Sequence, residues 1–279
     1  MKSNIKYVAM LLTTSLLWGL AFIAQTDAAQ YIGPFTFLAL RTLLGSLTLI
    51  PLLFIFKVKI KDKKTIYSGI FIGVWFFLAS TLQQAGISHT TVAKAGFISA
   101  LCVILVPLFE CMLFHYKLNI KNIICIILSI IGLFLLFKMK LSFSKGDILI
   151  LISTIFYSMH MISINHSSQC DGIALSYIQF VSAMIISFIC MLIFETPSIN
   201  NITNATPSIL YAGIVSCGIA YTLQIIGQKK VNPTVSAICL SMESFFAALF
   251  GFIILKQVLS FQEIIGCTLM LISIIVSQI

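Results

Sequence analysis

Apolar residues run along this chain in ten long stretches, roughly 7–26, 34–56, 66–87, 91–114, 120–137, 147–165, 173–194, 208–228, 234–255 and 261–278. A helix needs about 17 to 25 such residues to cross the hydrocarbon core of a bilayer, and each stretch meets that length. Strands are excluded for apolar runs this long, because in lipid only a helix satisfies its backbone groups within one segment. The connections are short and carry turn residues or solvated charge, as at Gly33-Pro34, Lys57–Lys64, Pro207 and Asn232-Pro233. The pattern predicts an all-α integral membrane protein of ten transmembrane helices, numbered below as spans one to ten.

Composition agrees. The chain is 59% hydrophobic and only 9% charged, whereas a soluble domain carries about 25% charged residues to cover its surface. The net charge of +9 does not point to nucleic acid, because the basic residues gather between apolar stretches, where cations orient a membrane protein. With the N-terminus inside, the inner side holds Lys2, Lys6, Lys57, Lys59, Lys61, Lys63, Lys64, Lys117, Lys121, Lys229 and Lys230. The outer side holds Lys138, Lys140, Lys145 and Lys256, so the bias predicts both termini in the cytoplasm. "NIT" and "NAT" within 201–206 fall on the predicted outer side; in a bacterial chain, the reading adopted here, they are a polar loop. The Met1–Lys6 segment leads into a full-length span without an A-x-A-like cleavage site. Eight Cys form no C-x-x-C pair and fall mostly in apolar runs, which predicts packing residues and neither disulfide, metal site nor cofactor.

The two halves resemble each other. "TLQQAG" at 81–86 followed by "TTVA" matches "TLQIIG" at 222–227 followed by "PTVS", and "IYSGI" at 66–70 matches "LYAGI" at 210–214. A repeat of five spans is odd, so the second copy enters the membrane from the other side. That inverted plan belongs to secondary transporters and places a binding site near the midplane between the copies. The chain resembles the drug/metabolite transporter superfamily, EamA type, through "TTVAKAGFISALCVILVPLF", Arg41 after "GPFTFLAL", "GDILILISTIFYSMH", "SMESFFAALFGFIILK" and "EIIGCTLMLISIIVS". It departs from that family at Lys256 and in the loop "HYKLNIKN", where the family carries Glu. The resemblance implies two inverted five-helix repeats, residues 1–140 and 141–279, a cavity lined from both, and movement of small metabolites.

Span four carries Lys94 and Glu110, 16 residues apart, or ~24 Å along a helix, so the two do not neutralise each other. Glu110 lies one turn from the inner end near His115 and Lys117, where headgroup-level solvation suffices. Lys94 lies near the outer end and either snorkels outward or faces a polar cavity mouth with Arg41, Gln83 and Gln84. Pro107 is expected to bend the span between the two charges. Arg41 stays ionised and must face the bundle, where a clamp by backbone carbonyls or Asp27 is favoured over attraction of an anion, with Gln179 at the aligned position of span seven. Arg41, Gln179 and Glu110 are therefore read as polar structural residues.

Gln83 and Gln224 are repeat mates. Tyr157 and His160 share a face by their i, i+3 spacing, and Trp18 and Tyr221 offer aromatic walls. Glu243 lies near mid-depth of span nine, where a charge costs roughly 2.5–3.5 kcal/mol. It is either neutral and bonded to a carbonyl, Ser241 or Ser244, or it lines a path and binds a substrate amine or a coupling proton. The candidate substrate-binding set is Trp18, Gln83, Lys94, Tyr157, His160, Tyr221, Gln224 and Glu243. With G-x-x-x-x-G-K-[ST], H-E-x-x-H and G-x-S-x-G all absent, ATP-driven pumping and the commonest hydrolytic chemistries are disfavoured. The favoured reading is a permease moving a small metabolite, such as an amino acid or a nucleoside-like compound, by alternating access. Its partners would be the substrate, the bilayer and a coupling ion such as a proton, with no nucleic acid. A structural or partner-binding membrane protein is the alternative, and behind it an intramembrane enzyme.

Overall fold

A computed structural model describes residues 5–90, 92–137, 144–255 and 261–278, and among these there is no strand. The chain forms α1 (Ile5–Ala28), α2 (Pro34–Ile55), α3 (Lys63–Ile87), α4 (Val92–Ala100), α5 (Cys102–Phe114), α6 (Ile120–Phe137), α7 (Lys145–His166) and α8 (Gly172–Phe194). Then follow α9 (Ile199–Asn204), α10 (Thr206–Leu210), a π-helical segment (Tyr211–Tyr221), α11 (Thr222–Gln228), α12 (Pro233–Ser241), α13 (Glu243–Leu255) and α14 (Phe261–Gln278). Seven helical stretches among the described residues are long and apolar enough to cross a membrane: 5–28, 34–55, 63–87, 94–114, 145–166, 172–194 and 206–228. This is a multi-pass membrane protein. Lys138, Lys140 and Lys256 lie outside the described residues.

Three predicted spans are not uniform helices. Span four breaks at Leu101, where Leu101 N donates to Ile98 O at 3.1 Å and Ile104 N to Leu101 O at 2.9 Å. The expected bend at Pro107 is thus found six residues earlier, and Pro107 sits inside α5. Its ring denies the Val103 carbonyl a partner without ending the helix. Span nine breaks at Met242, whose N–H donates to Cys239 O at 3.3 Å, with no proline at the break. Span eight passes through the π-helical segment, where each backbone bond reaches one residue further than in an α-helix. Neighbouring α1 ties this segment down: Thr14 donates to Ala220 O at 3.0 Å, and Tyr211 donates back to Leu17 O at 2.9 Å.

The outside is apolar, with Phe54, Ile127, Phe134, Phe188, Ile189 and Leu192 exposed, while Thr14, Gln84, Ser153, Ser158 and Gln179 are buried. Lipid offers no hydrophobic drive to press helices together, so close approach relies on small residues. A Cβ on Gly146 would lie 2.5 Å from Gly86 O, so α3 and α7 meet backbone to backbone. Likewise α6 meets α14 where Ser129 and Ser273 hydroxyls are 2.8 Å apart and Ser273 also reaches Cys125 O at 2.8 Å. Beyond these pairs, α3 packs on α8, α2 packs on α8 and the π-helical segment, and α1 packs on that segment, α11, α12 and α13. The start of α2 is capped from a distance: Glu195, at the end of α8, accepts from Phe35 N at 2.9 Å and Thr36 N at 2.8 Å. A Cβ on Gly33 would run into the Glu195 carboxyl group, so a larger residue there would have to shift that cap.

Candidate functional site

The helix breaks and the packed amides surround one cavity of about 620 Å³, counting all space free of protein atoms, part of it open. Span one supplies Trp18, Phe22 and Gln25; spans two and three supply Arg41 and Gln83; span four supplies Ser99, Ala100 and Cys102 at its break. Tyr157 and Met161 come from α7, Ser216, Tyr221 and Gln224 from span eight, and Leu240, Ser241 and Glu243 from the break in span nine. At each break the backbone hydrogen bonds tighten to i, i+3 spacing, and the small side chains of Ser99, Ala100 and Ser241 there face the cavity. Span nine meets span four just past its own break: Ser244 donates to Gly96 O, inside α4, at 2.9 Å.

One wall is a continuous polar network. Arg41 Nη2 donates to Ser80 Oγ at 3.2 Å, Ser80 Oγ lies 2.9 Å from Tyr157 OH, and Tyr157 donates to Gln83 Oε1 at 3.2 Å. Gln83 Nε2 donates to Ser99 Oγ at 3.1 Å, and Tyr221 OH approaches Tyr157 OH at 3.5 Å. The Arg41 guanidinium also lies over the rings of Phe37 and Phe76, at 5.5 and 5.4 Å. No carboxylate pairs with it among the described residues; Asp27, expected as an acceptor, takes the Ser208 hydroxyl at 2.6 Å instead. Glu243 has no hydrogen-bond or ion-pair partner among the described residues. Ser241 donates to Ile238 O at 2.8 Å and Ser244 to Gly96 O, so neither serine serves the carboxyl group. Trp18 stacks obliquely on Tyr221 with ring centroids 4.4 Å apart.

Of the eight candidate binding residues, Trp18, Gln83, Tyr157, Tyr221, Gln224 and Glu243 share this cavity. His160 is turned away, its Nε2 3.0 Å from Gln179 Oε1, although Tyr157 on the same helix face lines the space. Lys94 lies elsewhere, its Nζ 3.2 Å from Asp147 Oδ2. Asp147 also accepts from Thr90 and closes a capping box with Ser144 at the start of α7. Glu110 is 3% exposed rather than solvated at headgroup level. Its carboxylate meets His166 Nε2 at 3.2 Å and accepts from Asn165 Nδ2 at 3.3 Å, because the end of α7 packs there. Both ionisable side chains of span four therefore find polar partners on α7, one at each end.

The sequence reading missed Gln25, Ser99, Cys102, Ser216 and Ser241 as lining residues. Gln25 was within reach: it lies seven positions after Trp18, two helical turns along the same face. The small residues carried no signal until the helix breaks were known. Among the described residues no group of three His, Cys, Asp or Glu side chains is placed to hold a metal ion.

The sequence profile of the EamA-like transporter family matches this chain twice, at residues 5–138 and 144–278. A protein of Archaeoglobus fulgidus described as an uncharacterized transporter is 27% identical over 263 residues, covering 94% of this chain and 82% of its own length. Bacillus subtilis YoaV, also described as an uncharacterized transporter, is 20% identical over 280 residues, covering 95% and 94%. A crystal structure of 18% identity superposes with a TM-score of 0.81 over 98% of this chain and 96% of the other, which shows a shared fold.

Proposed function

Because the chain belongs to the EamA-like transporter family, and is a membrane transporter on that ground, we propose that it is a secondary permease. It moves a small metabolite, such as an amino acid, across the cytoplasmic membrane by alternating access, and does no chemistry on it. The carrying observation is that Arg41 and Glu243 line one cavity and, among the described residues, neither has an opposite charge bonded to it. A substrate bearing both an ammonium and a carboxylate would supply both partners at once, and an uncharged nucleoside-like compound would supply neither. A proton on Glu243 would serve in place of the ammonium when the site is empty, which makes proton coupling the natural drive.

The architecture we infer is ten spans in two inverted repeats, 1–140 and 141–279. The helix contacts support it, because each recurs with the repeats exchanged. Spans two and seven pack together, as do five and ten, and the pairing of span three with six is echoed by that of eight with one. Both termini then face the cytoplasm of a bacterial cell. In a Cys-free background, a single Cys at Ser198 should label from outside and one at Lys61 only from inside; outside labelling at 61 reverses the orientation. Uptake into proteoliposomes from a panel of amino acids and nucleosides tests the transport. Glu243→Gln keeps shape and should fold, yet lose its response to an imposed pH gradient or its preference for amines. Parental rates, pH profile and substrate range in that variant would make Glu243 structural.

A further inference from the structure

The directions of the hydrogen bonds beside span eight carry one step more, resting on the reading of the cavity as a substrate site. Gln228 lies one turn beyond Gln224, is buried, and does not line the cavity. Its Nε2 donates to the Met161 backbone carbonyl at 2.7 Å and to Asn165 Oδ1 at 3.0 Å. A backbone carbonyl only accepts, so the Gln228 amide is fixed with its nitrogen toward α7 and its oxygen toward Gln224. Gln224 must offer its own Nε2 to that oxygen, 3.0 Å away. This leaves Gln224 Oε1 as a buried acceptor with no protein partner. Asn165 obeys the same logic at the other end: its oxygen is taken by Gln228, and its Nδ2 faces Glu110 Oε1 at 3.3 Å. Two groups that accept, the Met161 carbonyl and the Glu110 carboxylate, thereby orient three amides in series.

We propose that Gln228, held by Met161 and Asn165, is a positioning residue that keeps the Gln224 carbonyl oxygen as the ligand-facing end, so that the site selects primary ammonium compounds over quaternary ones. Gln25 Oε1 is also buried without a protein partner, and Glu243 accepts from no described residue. A primary ammonium carries three N–H donors for these three acceptors. A quaternary ammonium has the same charge and the same attraction to the Trp18 and Tyr221 faces, but it leaves the buried acceptors unpaired.

The test uses 2-phenylethylamine and its N,N,N-trimethyl analogue, whose difference is donors and bulk at constant charge. Binding to the purified full chain is read by ligand-induced thermal stabilisation. The parent should bind the primary amine about tenfold more tightly or better, as sites built to bond an N–H discriminate against analogues lacking it. Gln228→Met should bring the ratio to about one, because Gln224 is then free to flip. Gln228→Glu keeps an acceptor for Gln224 and should preserve most of the ratio; pocket size is common to all three proteins, so bulk alone predicts no change among them. Equal or absent binding of both amines by the parent overturns the proposal, as does a parental ratio in folded Gln228→Met or a loss in Gln228→Glu as complete as in Gln228→Met. If Gln228→Met fails to fold, Gln224→Met carries the same readout, and an unchanged ratio there is equally fatal. Metabolite uptake without amine discrimination leaves the transport reading standing and removes this one; amine discrimination without uptake does the reverse.

Discussion

Spans three and eight begin from similar sequence and end in different states. Both carry an "-Y-x-G-I" start and a "TLQ" toward the other end, yet 15 positions separate Ile66 from Thr81 and only 12 separate Leu210 from Thr222. The longer version is the unbroken α3; the shorter one runs through the π-helical residues 211–221. A π-helix is wider and presents its side chains in a different order around the axis. The small residues Ala212, Gly213, Gly218 and Ala220 let neighbours close on that wider segment. At the equivalent glutamine, Gln83 is bonded at both ends, by Tyr157 and Ser99, whereas Gln224 is bonded only through its nitrogen. The similar sequence brings one amide from each span to the cavity, and the surroundings of the two differ with the helix type.

Valine at the aligned glycines should break this comparison most sharply. A Cβ on Gly213 would lie 2.5 Å from Leu44 Cβ and 3.1 Å from Arg41 O, while one on Gly69 would lie 2.6 Å from Ile178 Cβ. Overpacking of this kind costs about 1–3 kcal/mol, so both variants should melt several degrees lower in detergent. Gly213→Val should also displace Arg41 and abolish uptake, whereas Gly69→Val should retain it; equal uptake in the two would make the spans functionally equivalent.

A smaller effect is expected at the glutamines. Gln83→Leu strips partners from Tyr157 and Ser99, at about 0.5–1.5 kcal/mol for each neutral bond, and should lose more stability than Gln224→Leu. Gln224→Leu should instead raise the KM for uptake by about 2- to 10-fold, the range of one neutral hydrogen bond. If neither variant changes affinity, neither amide touches substrate. The smallest effect concerns how the two spans start. Asp62 caps α3, and bonds from the Thr65 and Lys64 N–H groups hold its carboxyl below the ordinary range. The start of α10 at Ala205 has no side-chain cap. The lowered folded pKa of Asp62 means that its cap stabilises above the unfolded Asp pKa and is lost as pH falls through the folded one. Asp62→Ala should therefore lower the melting midpoint slightly at neutral pH, with a gap that closes on acidification, and Ala205→Gly should show no such pH dependence.

Family, membrane crossing and most of the polar lining were legible because amides and acids are rare in apolar helices and each one stands out. Glu243 and the paired glutamines needed no structure to be noticed. Helix-internal breaks were not legible: Leu101 and Met242 have no glycine or proline on either side, and the one proline nearby sits inside a regular helix. Lys94 and Glu110 were seen, but their partners were not, since Asp147 and Asn165 come into reach only once α7 is packed against span four. His160 shows the limit of face-sharing: its ring turned to Gln179, a partner on another helix, while Tyr157 beside it turned to the cavity.

That meeting of both span-four side chains with α7 bears on the order of synthesis. The ribosome makes span four well before α7, so for an interval Lys94 lacks Asp147, and Glu110 lacks Asn165 and His166; a charge held in the bilayer costs up to roughly 2.5–3.5 kcal/mol, least near the membrane surface. The cap on α2 waits longer still, for Glu195, and α6 waits for α14. The segment that matches the family profile as a unit is thus not one that completes its own contacts: residues 5–138 produced alone would lack the bonds that α7, Glu195 and α14 supply.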